Sequence, residues 1–243
     1  NAEIYMQIKK ILKSKKYSIG VGDEGGFAPT FISNEEPFQI MSMAVANAGY
    51  TLGKDVSFGI DAAATEFFKD NKYTLNKEGK SVTSDELSSF LLSLSSKYPI
   101  ISMEDIFAED DWGAYQKFMT TSQGKIQIVG DDLYVTNVKR LQKGIEEKST
   151  NSILIKLNQI GTVSETIDAV LLARKNGMTS IISHRSGETE DTFIADFVVA
   201  LGTGQIKTGA PARSERTAKY NRLMRIERGL GSRAVYANLT LGK

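Results

Sequence analysis

Cysteine is absent from this 243-residue chain, histidine and tryptophan occur once each, and proline occurs four times. Without cysteine there is no disulfide framework, no thiolate metal site and no cysteine nucleophile. The absence suits a reducing, cytoplasmic setting. A single histidine leaves little for zinc or copper, which favour imidazole and thiolate ligands. Neither sign of charge dominates: 30 Lys+Arg stand against 29 Asp+Glu, a formal net charge of +1. There is therefore no global field to draw nucleic acid or anionic lipid. No apolar run approaches the roughly 18 residues of a membrane-spanning helix, and no secretory leader pattern opens the chain.

What is present is ordinary for a globular protein, with 41% hydrophobic and 24% charged residues. Collagen, coiled coil and wholesale disorder are excluded on those grounds. The length fits one large domain or two small ones, and α/β barrels of roughly 250 residues fold as one. The chain opens on Asn1 inside an amphipathic stretch, with Ile4, Ile8, Ile11 and Leu12 at helical spacing and lysines on the other faces. An opening within a helix reads as part of a longer protein.

Short β-branched runs alternate with helical patterns. The runs are Ser57–Ile60, Ile100–Met103, Ile126–Val129, Ser152–Ile155, Thr179–Ser183 and Gln205–Ile206, with Ser18–Val21 as a weaker seventh. Between them, Thr83 and Glu86 form a capping box ahead of Leu87, Phe90, Leu91 and Leu94. Thr162 and Glu165 form another ahead of Ile167, Val170 and Leu171, with Gly177 as the stop. Val138, Leu141 and Ile145 mark a further helix. Ile194, Phe197, Val198 and Leu201 mark one more, after an acidic first turn at Glu188, Glu190 and Asp191. Strand alternating with helix predicts parallel βα units, and unbroken strands such as Ile153–Ile155 suit a sheet buried on both faces. The polar stretch 69–85 reads as a surface insertion. A dinucleotide-binding sheet would require G-x-G-x-x-G after its first strand, and that motif is missing.

Each run ends at residues able to do chemistry: Asp23-Glu24, Asp61, Glu104-Asp105, Asp131-Asp132, Lys156, His184-Arg185 and Lys207. They recur at about one βα unit apart. In a βα barrel the C-terminal strand ends share one mouth, where active sites sit. Asp61, Glu104 and Asp131 would then be three carboxylates on adjacent strands. Unpaired they repel, and a hard divalent cation with oxygen ligands, such as Mg²⁺, resolves that repulsion. An ion network with Lys156, Arg185 and Lys207 is the plainer resolution, and both can hold together. A lysine issuing from an apolar strand, as Lys156 does, is a usable general base when nearby cations and burial favour its neutral form. Arg185, Ser186 and the helix N-terminus after them suit a phosphate or carboxylate. The residues alone thus point to a Mg²⁺-dependent barrel enzyme that abstracts a proton beside the carboxylate of a small acid.

Val-Gly-Asp-Glu-Gly-Gly-Phe-Ala-Pro at 21–29 resembles the enolase (phosphopyruvate hydratase) family. So do Gly-Ile-Asp-Ala-Ala-Ala-Thr-Glu-Phe-Phe at 59–68, Ser-Met-Glu-Asp at 102–105, Gly-Asp-Asp-Leu-Tyr-Val-Thr-Asn at 130–137 and Ile-Lys-Leu-Asn-Gln-Ile-Gly at 155–161. The longest matches are Ser-His-Arg-Ser-Gly-Glu-Thr-Glu-Asp-Thr-Phe-Ile-Ala-Asp at 183–196 and Lys-Thr-Gly-Ala-Pro-Ala-Arg-Ser-Glu-Arg at 207–216, all in family order. The resemblance implies an α/β, TIM-type (β/α) barrel over residues 1–243, the C-terminal catalytic domain of the family. Its first strand–helix units and the N-terminal α/β domain would be missing, roughly two-fifths of a usual member by barrel size. It implies reversible dehydration of 2-phosphoglycerate to phosphoenolpyruvate in glycolysis, in the cytoplasm, with Mg²⁺ as cofactor. Lys156 matches the base that takes the C2 proton, and Glu24 the acid that assists loss of the C3 hydroxyl. Asp61, Glu104 and Asp131 match the metal ligands, with a second Mg²⁺ arriving with substrate. His184, Arg185, Ser186 and Lys207 match substrate contacts. Homodimers or larger assemblies are the family's usual state.

Three departures qualify this. The part before residue 1 would hold a mobile loop, a histidine and a glutamate of the family's site. Seven strands for eight places would leave a barrel with open edges. Ile106 stands where Pro or Gly often follows Glu-Asp. The alternative is accordingly a catalytically incomplete piece with a binding role, for example plasminogen capture at a cell surface through the C-terminal Lys243. Another lyase of the wider superfamily is a third reading, opposed by the long match at 183–196.

Overall fold

The computed structural model of the chain describes residues 1–237. In chain order it runs through helices α1 (Ala2–Ser14) and α2 (Glu36–Asn47), strand β1 (Phe58–Asp61), and short strands β2 (Phe68–Lys69), β3 (Lys72–Leu75) and β4 (Lys80–Val82). Helix α3 (Ser84–Lys97), β5 (Ile100–Glu104), α4 (Trp112–Ser122), β6 (Gln127–Gly130), α5 (Val138–Glu147) and β7 (Ser152–Ile155) follow. The short helix α6 (Leu157–Ile160), α7 (Val163–Lys175), β8 (Thr179–Ser183), α8 (Phe193–Leu201), β9 (Ile206–Lys207) and α9 (Ser214–Leu230) complete it. Two units divide these elements. The larger takes Ser33–Glu35 and Gly53–Ser180, and the smaller takes Asn1–Ile32, Glu36–Leu52 and residues 181–237. Among the described residues no helix is long and apolar enough to cross a membrane.

In the larger unit β1, β5, β6 and β7 lie side by side in parallel. Every residue of β6 and of β7 is buried, as unbroken apolar strands covered on both faces should be. The register sets Asp61 opposite Glu104, and Glu104 opposite Val129. Thr83 caps α3 in a reciprocal capping box with Glu86, and Thr162 Oγ1 accepts the Glu165 N–H to start α7. Asn137 caps α5 by accepting from Lys139 and Arg140. The chain leaves α7 through Gly177 at φ +73°, a conformation glycine adopts without cost.

The stretch 69–85 is not merely a polar surface insertion. With Phe68 it folds into an antiparallel sheet, β2–β3–β4, whose Tyr73 is fully buried. The Tyr73 hydroxyl donates to Asp111 Oδ2 at 2.9 Å and accepts the Ala108 N–H at 2.9 Å, while its ring packs on Phe68 and Phe107. Tyr73 thus fixes the sheet to the α4 start, with Leu75 of the same strand buried beside it in sequence alternation.

In the smaller unit α1 packs on α2, burying Ile4, Ile11 and Leu12 with Phe38, Ile40, Ala44 and Val45. Strands β8 and β9 pair in parallel, with Ser183 opposite Lys207. Ser18–Val21 forms no strand. Only Val21 bridges to Phe27, because glycines at 20, 22, 25 and 26 supply no side chains to pack and the segment turns back at Gly25, φ +81°. Glu188, Glu190 and Asp191 are not the first turn of α8, which starts at Phe193. Asp191 instead precedes it and accepts the Phe193 N–H at 2.8 Å.

Candidate functional site

Two groups of the sequence-selected residues assemble, one in each unit. In the larger unit Asp61 and Glu104 close β1 and β5 as register partners, one exposed and one buried. The chain then bends at Asp105, which sits at φ +41°, a region that non-glycine residues rarely occupy. That bend turns the Asp105 carboxylate toward the end of β6, where it accepts the N–H groups of Asp131 and Asp132 at 2.9 and 2.8 Å. Carboxylate oxygens of Asp105, Asp131 and Asp132 come within 4.8 Å of one another. Burial pushes the Asp105 carboxyl up to about 7, against the pull of its two N–H donors and with the neighbouring charges of Asp131 and Asp132 adding to the rise. Asp132 is raised as well, by burial and then by Asp131.

Lys156 follows β7 directly, and its Nζ donates to Asp131 Oδ2 in a nearly buried ion pair. Gln159 Nε2 donates to the other oxygen, Asp131 Oδ1, at 3.2 Å. Gln159 is itself held by Thr136, whose hydroxyl donates to Gln159 Oε1 at 2.8 Å and accepts the Lys156 N–H at 2.9 Å. Thr136 is fully buried at φ +56°, next to Val135 at φ +45°. Two β-branched residues in the left-handed region are strained, and strain of this kind persists where surrounding contacts impose it. The result is a carboxylate whose two oxygens and whose cationic partner are all fixed in place.

These are hard oxygen donors, crowded enough for burial and like charge to raise two of their pKa values, with no thiolate and no imidazole among them. The set fits a hard divalent cation. Of the three carboxylates the sequence selects, the structure groups Asp131 with Asp105 and Asp132, while Asp61 and Glu104 stand at the ends of the adjacent strands β1 and β5.

The second group lies in the smaller unit. The turn at residues 22–26, closed by Gly22 N–H to Gly26 O at 2.9 Å, presents Glu24. Ser186 Oγ donates to Glu24 Oε1 at 2.9 Å, and His184 Nε2 lies 3.3 Å from Glu24 Oε2. His184 and then Ser186 and Lys207 hold the Glu24 carboxyl at about 2, overriding the upward push of partial burial. His184 is buried, and its N–H donates to Lys207 O at 2.9 Å, which ties the residue after β8 to the end of β9. Arg185 and Lys207 flank the group at intermediate exposure.

Two further residues here escaped the reading of the sequence. Arg216 and Lys219, one turn apart on α9, are almost completely buried. Arg216 donates to His184 Nδ1 and to three carbonyls, while Lys219 donates to Glu215 O at 2.7 Å and to Thr189 O. The inward face of α9 is therefore cationic, and a search for apolar helical periodicity passes over it.

A family model described as the C-terminal TIM barrel domain of enolase matches residues 1–243. Enolase 1 of Methanospirillum hungatei is 54% identical to the chain over 235 residues, covering 97% of this chain and 55% of that protein. The chain thus spans about half the length of the relative it matches.

Proposed function

The chain belongs to the enolase family, whose C-terminal TIM barrel domain it matches throughout, and from that premise we propose that it serves the family's reaction. That reaction is the reversible dehydration of 2-phosphoglycerate to phosphoenolpyruvate. The observation that carries the proposal is the Lys156–Asp131 pair set against the carboxylate cluster at the strand ends. This pairing joins a base candidate to a cation site.

Asp61, Glu104 and Asp131 would hold Mg²⁺, which supplies positive charge against the charge that builds on the substrate carboxylate as the C2 proton leaves. Lys156 takes that proton. In the hydration direction it returns a proton to C2. Glu24 is an anion at neutral pH, held so by His184 and Ser186. In that form it accepts a proton from water in the hydration direction. Protonated, it gives that proton to the departing hydroxyl. Arg185, Ser186 and Lys207 receive the phosphate and carboxylate of a three-carbon phosphorylated acid. The plasminogen reading rested on Lys243, which lies outside the described residues.

The test is phosphoenolpyruvate formation from 2-phosphoglycerate by the 243-residue chain, with and without Mg²⁺, alongside Lys156→Ala. Mg²⁺-dependent turnover that disappears in Lys156→Ala is the expected result. Turnover that survives the substitution would remove Lys156 from the role of base. A folded chain that binds neither Mg²⁺ nor phosphoenolpyruvate would overturn the proposal for this chain.

A further inference from the structure

The single imidazole of the chain is held on one side by a guanidinium that nothing in the sequence reading called for. We propose that Arg216 is a positioning residue. By donating to Nδ1 of His184 it leaves the ring one protonated nitrogen, Nε2, which faces the Glu24 carboxylate.

A guanidinium is always charged and has only donors. Arg216 Nη1 lies 2.6 Å from His184 Nδ1, so Nδ1 must present a lone pair, and the ring's proton must sit on Nε2. Nε2 is buried with no aligned partner, and the Glu24 Oε2 oxygen is 3.3 Å away. Catalytic hydrogen bonds are often long before substrate binds, so the imidazole is set to donate to Glu24 and to nothing else. A ring fixed this way behaves as a donor only, which keeps Glu24 anionic and denies His184 a base's role.

The same guanidinium holds both segments that carry the pair. Nη1 also donates to Arg185 O at 2.7 Å, and Nη2 donates to Ser186 O at 2.6 Å and Asp23 O at 3.1 Å. Those carbonyls flank His184 on one side and Glu24 on the other. The remaining donor, Nε, is buried without a partner. An unpaired buried donor is costly, so the orientation is set by the imidazole and the three carbonyls at the expense of Nε. One turn along α9, Lys219 fixes Thr189 O, extending the hold over the same loop. Gly209 makes room for this, because a Cβ there would stand 2.8 Å from Arg216 Cδ.

The role in catalysis rests on the proposed function, whereas the tautomer does not, and the experiment keeps the two apart. Histidine occurs once in the chain, so uniform ¹⁵N-histidine labelling of the full chain reports one ring. Long-range ¹H–¹⁵N correlation at neutral pH should show Nε2 protonated and Nδ1 bare. A ring with Nδ1 protonated, or with both nitrogens protonated, overturns the proposal whatever the activity. Arg216→Met should abolish the preference and give a mixed or inverted tautomer in a chain with native far-UV circular dichroism. An unchanged tautomer in that folded variant would overturn the proposal too. Should Arg216→Met not fold, Arg216→Lys serves, since an ammonium also donates: it should retain the Nε2–H form, and loss of that form would count against Nδ1 donation as the cause. In active preparations Arg216→Lys should recover kcat over Arg216→Met by about tenfold with KM little changed.

Discussion

Asp105 and Asp131 carry like charges, yet the carboxylate of the first accepts the backbone N–H of the second at 2.9 Å. The contact is made possible by the unusual bend at Asp105 and is doubled by the N–H of Asp132. Burial makes the arrangement expensive, since it pushes the Asp105 carboxyl up to about 7. Two backbone donors, one buried and one partly buried, depend on this single side chain.

Asp105→Ala removes both acceptors. A buried donor left unsatisfied costs about 1–3 kcal/mol, and the Asp131 N–H is buried, so the variant should lose stability on that order, read as a lower midpoint in urea denaturation. Asp105→Asn keeps one acceptor and removes a buried charge, and should lose less. Equal midpoints for wild type and Asp105→Ala would show that water replaces the carboxylate, and that the brace is not structural. Mg²⁺ affinity, measured by calorimetry, should fall in both variants, because Asp131 and Asp132 lose the backbone anchor that orients them.

Lys156→Ala separates two properties that a simple loss of structure would reduce together. Turnover should vanish with the base. Mg²⁺ affinity should rise, because Lys156 and the cation compete for Asp131. A charged hydrogen bond contributes about 1.5–3 kcal/mol, which corresponds to about tenfold or more in affinity. Calorimetric titration of Mg²⁺ into wild type and variant checks this. Weaker binding in Lys156→Ala would mean that the lysine orients Asp131 for the metal instead of competing with it.

Much of this cluster was legible in the sequence, because strand ends are where the period of two stops and a charged residue begins. The boundaries ran one residue further than the apolar runs, so Asp61, Glu104 and Lys207 are the last residues of β1, β5 and β9 and do not follow them. The capping box at Thr83 and the simpler cap at Thr162, where Glu165 returns to the hydroxyl and not to the backbone N–H, were readable because a cap is a local hydrogen bond between residues three apart. Ser18–Val21 misled because β-propensity describes side chains packing on a neighbour, and glycines flanking Val21 have nothing to pack. Tyr73 and Arg216 were not legible. One is an aromatic in a polar hairpin and the other a charge on a helix, and each is buried by partners 35 and 32 residues away along the chain. Asp105 was visible only as a neighbour of Glu104. Its bend, and hence its role as an acceptor, is set by the end of β6.

Glu24 supplies a pH signature. Its carboxyl is held at about 2 in the folded chain against an ordinary value of 4.5. The unfolded chain therefore binds more protons between those values, so stability from this group is present above about pH 4.5 and is lost as pH falls toward 2. Glu24→Gln should flatten that part of the profile, leaving stability at neutral pH lower and at pH 2 unchanged relative to wild type. Glu24 is half exposed, so solvent screens the contribution and the change should be modest. Thermal melts of both proteins across this range are the measurement. Parallel profiles would mean that the His184 and Ser186 contacts do not depress the carboxyl in solution.

Gly209 links Glu24 to the buried cation of α9 and gives the sharpest steric test. It adopts φ +82°, its Cβ would stand 2.7 Å from Glu24 O and 2.8 Å from Arg216 Cδ, and the first of those neighbours is backbone and cannot move aside cheaply. Gly209→Ala combines a left-handed conformation that alanine resists with overpacking against a fixed carbonyl, about 2–4 kcal/mol together. Ala210 N–H also donates to Glu24 O at 2.9 Å, so relief by displacing that carbonyl would break a hydrogen bond as well. The variant should denature at a lower urea concentration. It should also disturb the His184 ring resonances, since Arg216 is the second group struck. Gly187→Ala is the control: it lies in the same loop as His184, a Cβ there meets no atom within 4 Å, and its φ is not left-handed. A midpoint for Gly209→Ala no lower than that of Gly187→Ala would show that the turn bearing Glu24 yields freely, and that Arg216 does not hold it in place.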